Sequence, residues 1–145
     1  VLQLEALGLQ PAIKWPNDLL LQGRKLAGVL PRLRWRGGQL LGARVGVGLN
    51  LCNRVPPGAI ALADQPLHLG LERGTALVLR ALEWAVAASA QPELVRRQAE
   101  RRLWRDGSVV VSGLAWDVAG LEGDGGLRLR RGDQHLVLRR RFSIG

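Results

Sequence analysis

The stretch from Lys14 to Leu30 constrains the fold of this chain most strongly, because it places short apolar runs between turn-forming residues. Pro16 fixes its own backbone and pushes the residue before it toward extended geometry. After it, Leu19–Leu21 has the composition of a short buried strand. A turn follows at 22–24, and 25–30 is apolar enough to return as a second strand. The pattern therefore predicts a β-hairpin near the start of the chain.

This turn-rich hairpin region carries the only two lysines of the chain, Lys14 and Lys25. Every other basic residue is arginine, so a lysine that persists suggests a need for a compact, flexible ammonium group. Gly28 lies inside the returning strand, where a glycine often marks the close approach of a ligand or another backbone. The alternative is an ordinary hairpin with a packing glycine and two solvated lysines.

A second glycine-containing segment, Gly46-Val47-Gly48-Leu49-Asn50, closes the next predicted strand, Gln39–Leu51. It is not a dinucleotide fingerprint, because Leu51 stands where the third glycine belongs and no helix signal follows. Glycines at alternate positions instead leave one face of the sheet bare, and a flat purine could lie there. Asn50 could both donate to and accept from an adenine edge. The alternative is that the glycines accommodate a crossing element.

The periodicity of apolar residues and the positions of helix- and strand-breaking residues predict the remaining elements. Residues 1–9 resemble the end of a helix that closes at Gly8, 34–38 a turn, and 53–66 a loop with a short extended piece at 59–63. We expect a largely buried helix over 72–89, then a helix over 92–105 whose arginines form a solvated face. Short strands separated by glycines follow, at 109–111, 114–121, 127–131 and 135–140.

Composition limits the function classes without choosing one. The formal charge of +9 suggests an anionic partner, which could be nucleic acid, a nucleotide or an acidic protein. The single cysteine, Cys52, excludes an internal disulfide and is expected in the core. His68 and His135 lie too far from it to give a metal-binding spacing. Without an apolar run of membrane-spanning length or a signal peptide pattern, we expect a cytoplasmic protein.

Three segments together resemble the biotin protein ligases, also called biotin–[acetyl-CoA-carboxylase] ligases: K-W-P-N-D at 14–18, R-K-L-A-G-V-L at 24–30 and G-x-G-x-N at 46–50. The resemblance implies an α+β fold with a mixed or antiparallel sheet and helices, part of a core related to class II aminoacyl-tRNA synthetases. A small SH3-like β-barrel would follow it. We therefore predict a partial catalytic domain over 1–105 and an SH3-like domain over 106–145.

The same resemblance implies ATP-dependent ligation of biotin to a lysine of the biotin carboxyl carrier protein, through biotinyl-5′-AMP. Biotin and ATP both bring negative charge to the site, so a cation must lie between them. Lys25 is the candidate for that role and, with Gly28, for contact with biotin. The resemblance also implies contacts with ATP or the adenylate from Lys14, Asn17, Gly48 and Asn50.

Asp18 has three possible roles. It could orient the attacking amine of the carrier or accept its proton, and we group it with Lys25 and Lys14 as catalytic. It could instead bind Mg²⁺ together with the phosphates, because one carboxylate plus phosphate oxygens is a usual way to hold that ion. Its third possible role is that of a turn residue only.

The chain also departs from the family pattern. The glycine- and arginine-rich loop G-R-G-R-R-G-R of these ligases is absent, and the chain begins at Val1. We therefore expect a part of a longer protein, whose function is incomplete in this chain and which is a poor enzyme alone. No helix-turn-helix is present, so DNA binding is not expected. A lipoate-type ligase and a non-enzymatic nucleotide or nucleic-acid binding module remain as alternatives.

If the chain acts as a biotin ligase, we expect the arginine-rich helix and the C-terminal module, including Arg128 and Arg130, to attract an acidic carrier.

Overall fold

A computed structural model describes residues 1–67 and 69–140, and it contains two four-stranded antiparallel sheets. The elements in chain order are α1 (Leu2–Glu5), β1 (Pro11–Lys14), β2 (Asp18–Leu21), β3 (Arg24–Arg36), β4 (Gln39–Leu49), a 3-10 turn (Leu62–Asp64), α2 (Leu71–Ala88), α3 (Pro92–Glu100), β5 (Ser108–Val111), β6 (Leu114–Leu121), β7 (Leu127–Arg131) and β8 (Gln134–Leu138). The strands of each sheet follow one another in sequence order. The predicted α+β class is confirmed. The SH3-like assignment and the boundary at residue 105 stay predictions, and 141–145 and His68 lie outside the described residues.

The first sheet keeps the predicted hairpin but extends it. β3 continues past Pro31 to Arg36 and pairs with β4 along this whole length. The predicted turn at 34–38 is therefore confined to Gly37 and Gly38, which adopt positive φ angles of 56° and 79°. β1 was not predicted, because four residues are too few to show a period. It adds a strand beside β2.

The composition of helix α2 suggested that it would be largely buried. Of its residues, however, only Gly74 and Ala88 are buried. One side of the helix faces the first sheet, and Leu77, Ala81 and Ala85 there help to line an apolar cavity of about 340 Å³. Leu71 and Val86 are about three-quarters exposed. The prediction was wrong because an apolar circumference allows a helix to be covered on all sides but does not require it. Among the described residues, other elements cover only one side of α2.

Helix α3 ends at Glu100, five residues before its predicted end. The chain after it pairs with β1 instead: Arg102 O accepts from Ile13 N at 2.7 Å, and Trp104 N donates to Ile13 O at 2.8 Å. The arginines of this region are not simply solvated. Arg96 pairs with Glu93 and Glu100, and Arg102 pairs with Glu5. The sequence showed the charges but not which acids would lie beside them.

Cys52 is exposed rather than part of the core. It lies in a bend at 51–53, where the chain leaves the end of β4. The core instead forms two clusters of buried leucine and isoleucine. One contains Leu4, Leu21, Leu26, Ile60 and Leu62, and the other contains Leu103, Leu121, Leu127 and Leu129.

Glu100 joins α3 to the second sheet. Its Oε1 accepts hydrogen bonds from the Leu121 N–H at 3.0 Å and from Arg128 Nη2 at 2.8 Å, and its Oε2 pairs with Arg96. The Leu121 N–H, followed by the nearby charge of Arg96, lowers the pKa of the Glu100 carboxyl below its ordinary value. This carboxylate therefore holds the helix against the sheet in its ionised form.

Replacing Gly120 with alanine is expected to lower the free energy of unfolding by about 1–3 kcal/mol. A Cβ atom at Gly120 would overlap Glu100 Oε1 and Arg128 Nη2, so the cluster would have to open. Urea unfolding measures the change. Gly123→Ala is the matched control, because no atom lies within 4 Å of a Cβ there. Equal stability of the two variants would contradict the assigned role of this cluster.

Acid should weaken the same contact. Because the pKa of Glu100 is lower in the folded chain than in the unfolded chain, its contribution is complete above the unfolded value of about 4.3 and is lost as the pH falls through the folded value. Glu100→Gln should lower the free energy of unfolding by about 1–2 kcal/mol at pH 7, and this difference should shrink below about pH 4. Urea unfolding at pH 7 and pH 3.5 tests this. A difference that stays the same at the two pH values would exclude it.

Candidate active site

Four of the predicted site residues lie in one row across the first sheet. The pairing register places Lys14 opposite Asp18, Asp18 opposite Gly28, and Gly28 opposite Gly48. Residues directly opposite each other in antiparallel strands point to the same face. This site row therefore crosses all four strands on the face opposite the one that packs against α2, where Leu19, Ala27 and Val47 lie.

Lys25 joins this row because of a β-bulge in β3. Leu19 pairs with Ala27, but Leu20 pairs with Lys25, which leaves Leu26 as an extra residue. Side chains alternate faces along a strand, so residues three apart, such as Lys25 and Gly28, would normally point in opposite directions. The extra residue restores a common face, and bulges often re-aim a side chain in this way. Leu26 itself is fully buried on the other side.

The bulge brings the Lys25 ammonium group and the Asp18 carboxylate together. Lys25 Nζ lies 2.7 Å from Asp18 Oδ1, and the side chains are 51% and 25% exposed, so the pair is accessible to a ligand. Gly28 lies beneath it: a Cβ there would be 3.5 Å from Asp18 Oδ1 and 3.7 Å from Lys25 Nζ. The absence of a side chain at Gly28 leaves the strand surface next to the pair open.

The backbone of Lys25 is held by the segment 58–60, which lies where a loop with a short extended piece at 59–63 was predicted. Lys25 N donates to Gly58 O at 3.0 Å, and Ile60 N donates to Lys25 O at 2.9 Å. Ile60 is fully buried, so this segment belongs to the core. Sequence analysis missed its importance, and the available signal was the apolar run that follows Gly58.

Asn50 completes this arrangement through its side chain. Its Nδ2 donates to Ile60 O at 3.2 Å and more weakly to Lys25 O at 3.4 Å, and its Oδ1 accepts from Asn53 Nδ2 at 3.2 Å. These hydrogen bonds of the Asn50 amide connect the end of β4 to the bulge in β3. The predicted contact of Asn50 with adenine stays a prediction, to which the geometry adds a role in positioning Lys25.

Lys14 and Asn17 lie at the edge of the site row. Lys14 is exposed at the end of β1 and, with Trp15, Trp104 and Asp106, lines a cavity of about 160 Å³ against the second sheet. The backbone carbonyl of Asn17 accepts from Val29 N at 2.8 Å, which fixes the turn after the cis Trp15-Pro16 peptide bond. Lys14 lies opposite Asp18 in the pairing register, Asn17 directly precedes Asp18 in the chain, and no ion pair to Lys14 is seen within 1–67 and 69–140.

Two further properties of the described residues bear on the site. No group of three or more histidine, cysteine, aspartate or glutamate side chains is arranged there to hold a metal ion. No helix in the same part of the chain is long and apolar enough to cross a membrane.

Comparison with known proteins adds independent information. Residues 5–50, which contain the whole site row, match the model of the Biotin/lipoate A/B protein ligase family. The chain is 35% identical over 88 residues to the bifunctional ligase/repressor BirA of Escherichia coli, covering 57% of this chain and 27% of that protein. It is 40% identical over 67 residues to the biotin–[acetyl-CoA-carboxylase] ligase of Paracoccus denitrificans, covering 46% and 28% respectively. The chain thus spans about a quarter of the length of these relatives.

The fold agrees with this assignment. The biotin protein ligase of Aquifex aeolicus, solved in complex with biotin and ATP, superposes with a TM-score of 0.72 at 20% sequence identity. The match covers 94% of this chain and 62% of that one, so both sheets and the helices between them are shared. Residues 5–50 are thus similar to the Biotin/lipoate A/B protein ligase family, and the chain shares the fold of a biotin protein ligase.

Proposed function

We propose that this chain takes part in the ATP-dependent ligation of biotin to a lysine of a carrier protein, the biotin carboxyl carrier of acetyl-CoA carboxylase, through biotinyl-5′-AMP. The observation that carries the proposal is the accessible Asp18–Lys25 pair over Gly28, inside the segment that matches the family. The reaction would take place in the cytoplasm. The partial catalytic domain would end near residue 105, and the second sheet would form a separate C-terminal module.

In the first step, a carboxylate oxygen of biotin attacks the α-phosphorus of ATP, and pyrophosphate leaves. Two unit charges of the same sign 4 Å apart repel by about 4 kcal/mol at an effective dielectric constant of about 20. The Lys25 ammonium, half exposed beside the bare strand at Gly28, can contact both anions and stabilise charge that grows on the phosphate oxygens. Lys14, at the other end of the site row, would contact the phosphates.

In the second step, the amine of the carrier lysine attacks the acyl carbon, and AMP leaves with the electrons of the broken bond. The amine must lose a proton, and the Asp18 carboxylate could orient it or accept that proton. Mg²⁺ bound to ATP would need only one protein carboxylate, which Asp18 could supply. Asn17, Gly48 and Asn50 would contact the nucleotide from the turn and from the end of β4.

The test is biotin-dependent release of pyrophosphate from ATP, together with titration of a non-hydrolysable analogue of biotinyl-AMP. The binding measurement gives an answer even where turnover is slow. We expect saturable binding of the analogue and no response to its lipoyl counterpart. Preference for the lipoyl compound would indicate a lipoate-type ligase. Absence of binding to either, with nucleic-acid binding that falls steeply with salt, would indicate a binding module instead.

A further inference from the structure

Four arginines continue the face of the site row along the β3–β4 hairpin. Arg32, Arg34 and Arg36 alternate along β3 on the same side as Gly28, and Arg44 lies opposite Arg32 on β4. All four are exposed. We call these four residues the arginine stripe. At about 3.3 Å per residue, Arg36 lies about 26 Å from Gly28, so the stripe leads directly away from the Asp18–Lys25 pair.

The arginine stripe gathers four positive charges on one face, and no neighbouring acid of the described residues neutralises them. No hydrogen bond or ion pair joins any of the four to another residue in the ranges that the structure describes. By contrast, Arg96, Arg102, Arg128 and Arg139 are all paired with acids. Arg32 and Arg44 face each other directly, and like charges in such a cross-strand position destabilise a sheet. A face that bears this cost without internal compensation is suited to an anionic partner.

The surroundings of the stripe indicate which anionic partner fits. Gly48 in the site row and Gly42 opposite Arg34 have no atom within 4 Å of a Cβ position, and Gly46 between them has only Leu30 O, at 3.8 Å, so this face of β4 is open. No aromatic side chain lies on this face of β3 and β4, because Trp35 alternates to the other side. Binding of single-stranded nucleic acid commonly relies on aromatic stacking. An acidic protein surface fits this face better.

We propose that the arginine stripe docks an acidic surface of the carrier domain and thereby presents the carrier lysine to Asp18 and Lys25. This inference rests on the proposed function. A small domain of about 80–100 residues has a radius of gyration of about 12–13 Å. A carrier domain with its lysine at the site row is therefore large enough to reach along the stripe. Arg96 of α3 and Arg128 of β7 already pair with Glu100, so they are less suited to this role.

The experiment compares two double charge reversals. The variant Arg34→Glu with Arg36→Glu alters the stripe. The control Arg73→Glu with Arg80→Glu alters two exposed arginines of α2, on the other side of the sheet, and changes the net charge equally. Binding of an unbiotinylated biotin carboxyl carrier domain is measured by biolayer interferometry at low and moderate salt. We expect the stripe variant to raise the Kd about tenfold or more, mainly through slower association, and the control to change it less than twofold.

Biotinyl-AMP analogue binding, measured in parallel without carrier, separates this inference from the proposed function. Unchanged analogue binding with weakened carrier binding supports the docking role. If the unaltered chain binds the carrier but not the analogue, the proposed function fails while the docking result still stands by itself. Equal carrier binding by the two reversals, or loss of oligonucleotide binding in place of carrier binding, would overturn the docking role.

A single substitution tests whether unfolding, rather than loss of the docking contact, explains weaker carrier binding. Arg44→Glu places a negative charge opposite Arg32, so the melting temperature should rise by about 1–3 °C. The same change should weaken carrier binding. A lowered melting temperature together with lost binding would count against the inference, because a structural role for Arg44 would then explain both results.

Discussion

Replacing Lys25 with alanine is expected to lower the rate of biotinyl-AMP formation about 10²- to 10³-fold, the range found when one transition-state electrostatic contact is removed. The Lys25 ammonium lies 2.7 Å from Asp18 and next to the open surface at Gly28, where both anionic substrates would meet. Lys25→Arg should restore only part of the rate, since a planar guanidinium does not fit a site shaped for a compact charge. Rapid-quench measurement of the adenylate gives this rate directly.

Arg24→Ala is the matched control for Lys25→Ala, because it removes a neighbouring exposed positive charge from the same strand. It should change the rate less than threefold. If adenylate formation in Lys25→Ala is unchanged, or falls no further than in Arg24→Ala, Lys25 is not the catalytic cation. The chain also allows a measurement without turnover. Since Lys14 and Lys25 are its only lysines, isotope-labelled dimethylation gives two lysine signals, and addition of the biotinyl-AMP analogue should shift that of Lys25.

Replacing Asn50 with alanine should lower adenylate formation by about tenfold or more, even though the side chain need not touch the reacting atoms. Its amide donates to Ile60 O and Lys25 O and so fixes the segment that holds the bulge. Displacement of a catalytic group by about 1 Å can reduce a rate by up to about 10²-fold. Loss of these bonds should also lower the free energy of unfolding by about 1–2 kcal/mol.

The double variant distinguishes positioning of Lys25 from contact with the nucleotide. If Asn50 acts through Lys25, Asn50→Ala should have little further effect on the rate in the Lys25→Ala background. If Asn50 instead contacts adenine, the two effects should multiply, and affinity for ATP should fall in both backgrounds. Asn53→Ala removes the bond to Asn50 Oδ1 and two bonds to the neighbouring backbone but leaves both bonds donated by Asn50 in place, so it should show a smaller change in the same direction.

Local sequence patterns predicted most of the strands in this fold. β6 and β7 occupy the predicted residues, and β5 and β8 differ from them by one or two positions. These strands are bounded by glycine turns, which mark their ends in the sequence. The burial of α2 could not be obtained in the same way. An apolar helix surface is a local property, whereas its coverage depends on which other elements reach it.

The site could be predicted as a set of residues but not as an arrangement. The lysines, Gly28, Gly48 and Asn50 attracted attention through residue type and spacing, and the resemblance to the ligases added Asn17 and Asp18. The row across the sheet depends on strand register, which short strands do not reveal in sequence. Pairing of Arg128 with Glu100 likewise depends on tertiary structure, so the sequence could not show that this predicted carrier-attracting arginine is held by an acid of the same chain.

Because of the bulge at Leu26, the number of residues between Lys25 and Gly28 decides which face of the sheet Lys25 points to. Removing one residue there would turn Lys25 toward the apolar layer beneath α2, where an isolated ammonium would cost several kcal/mol or lose its proton. Adding one residue would have the same consequence. A chain that builds its site in this way can vary which residues occupy the segment far more freely than it can vary their number. The spacing between lysine and glycine is therefore a more reliable mark of this site than the residues between them.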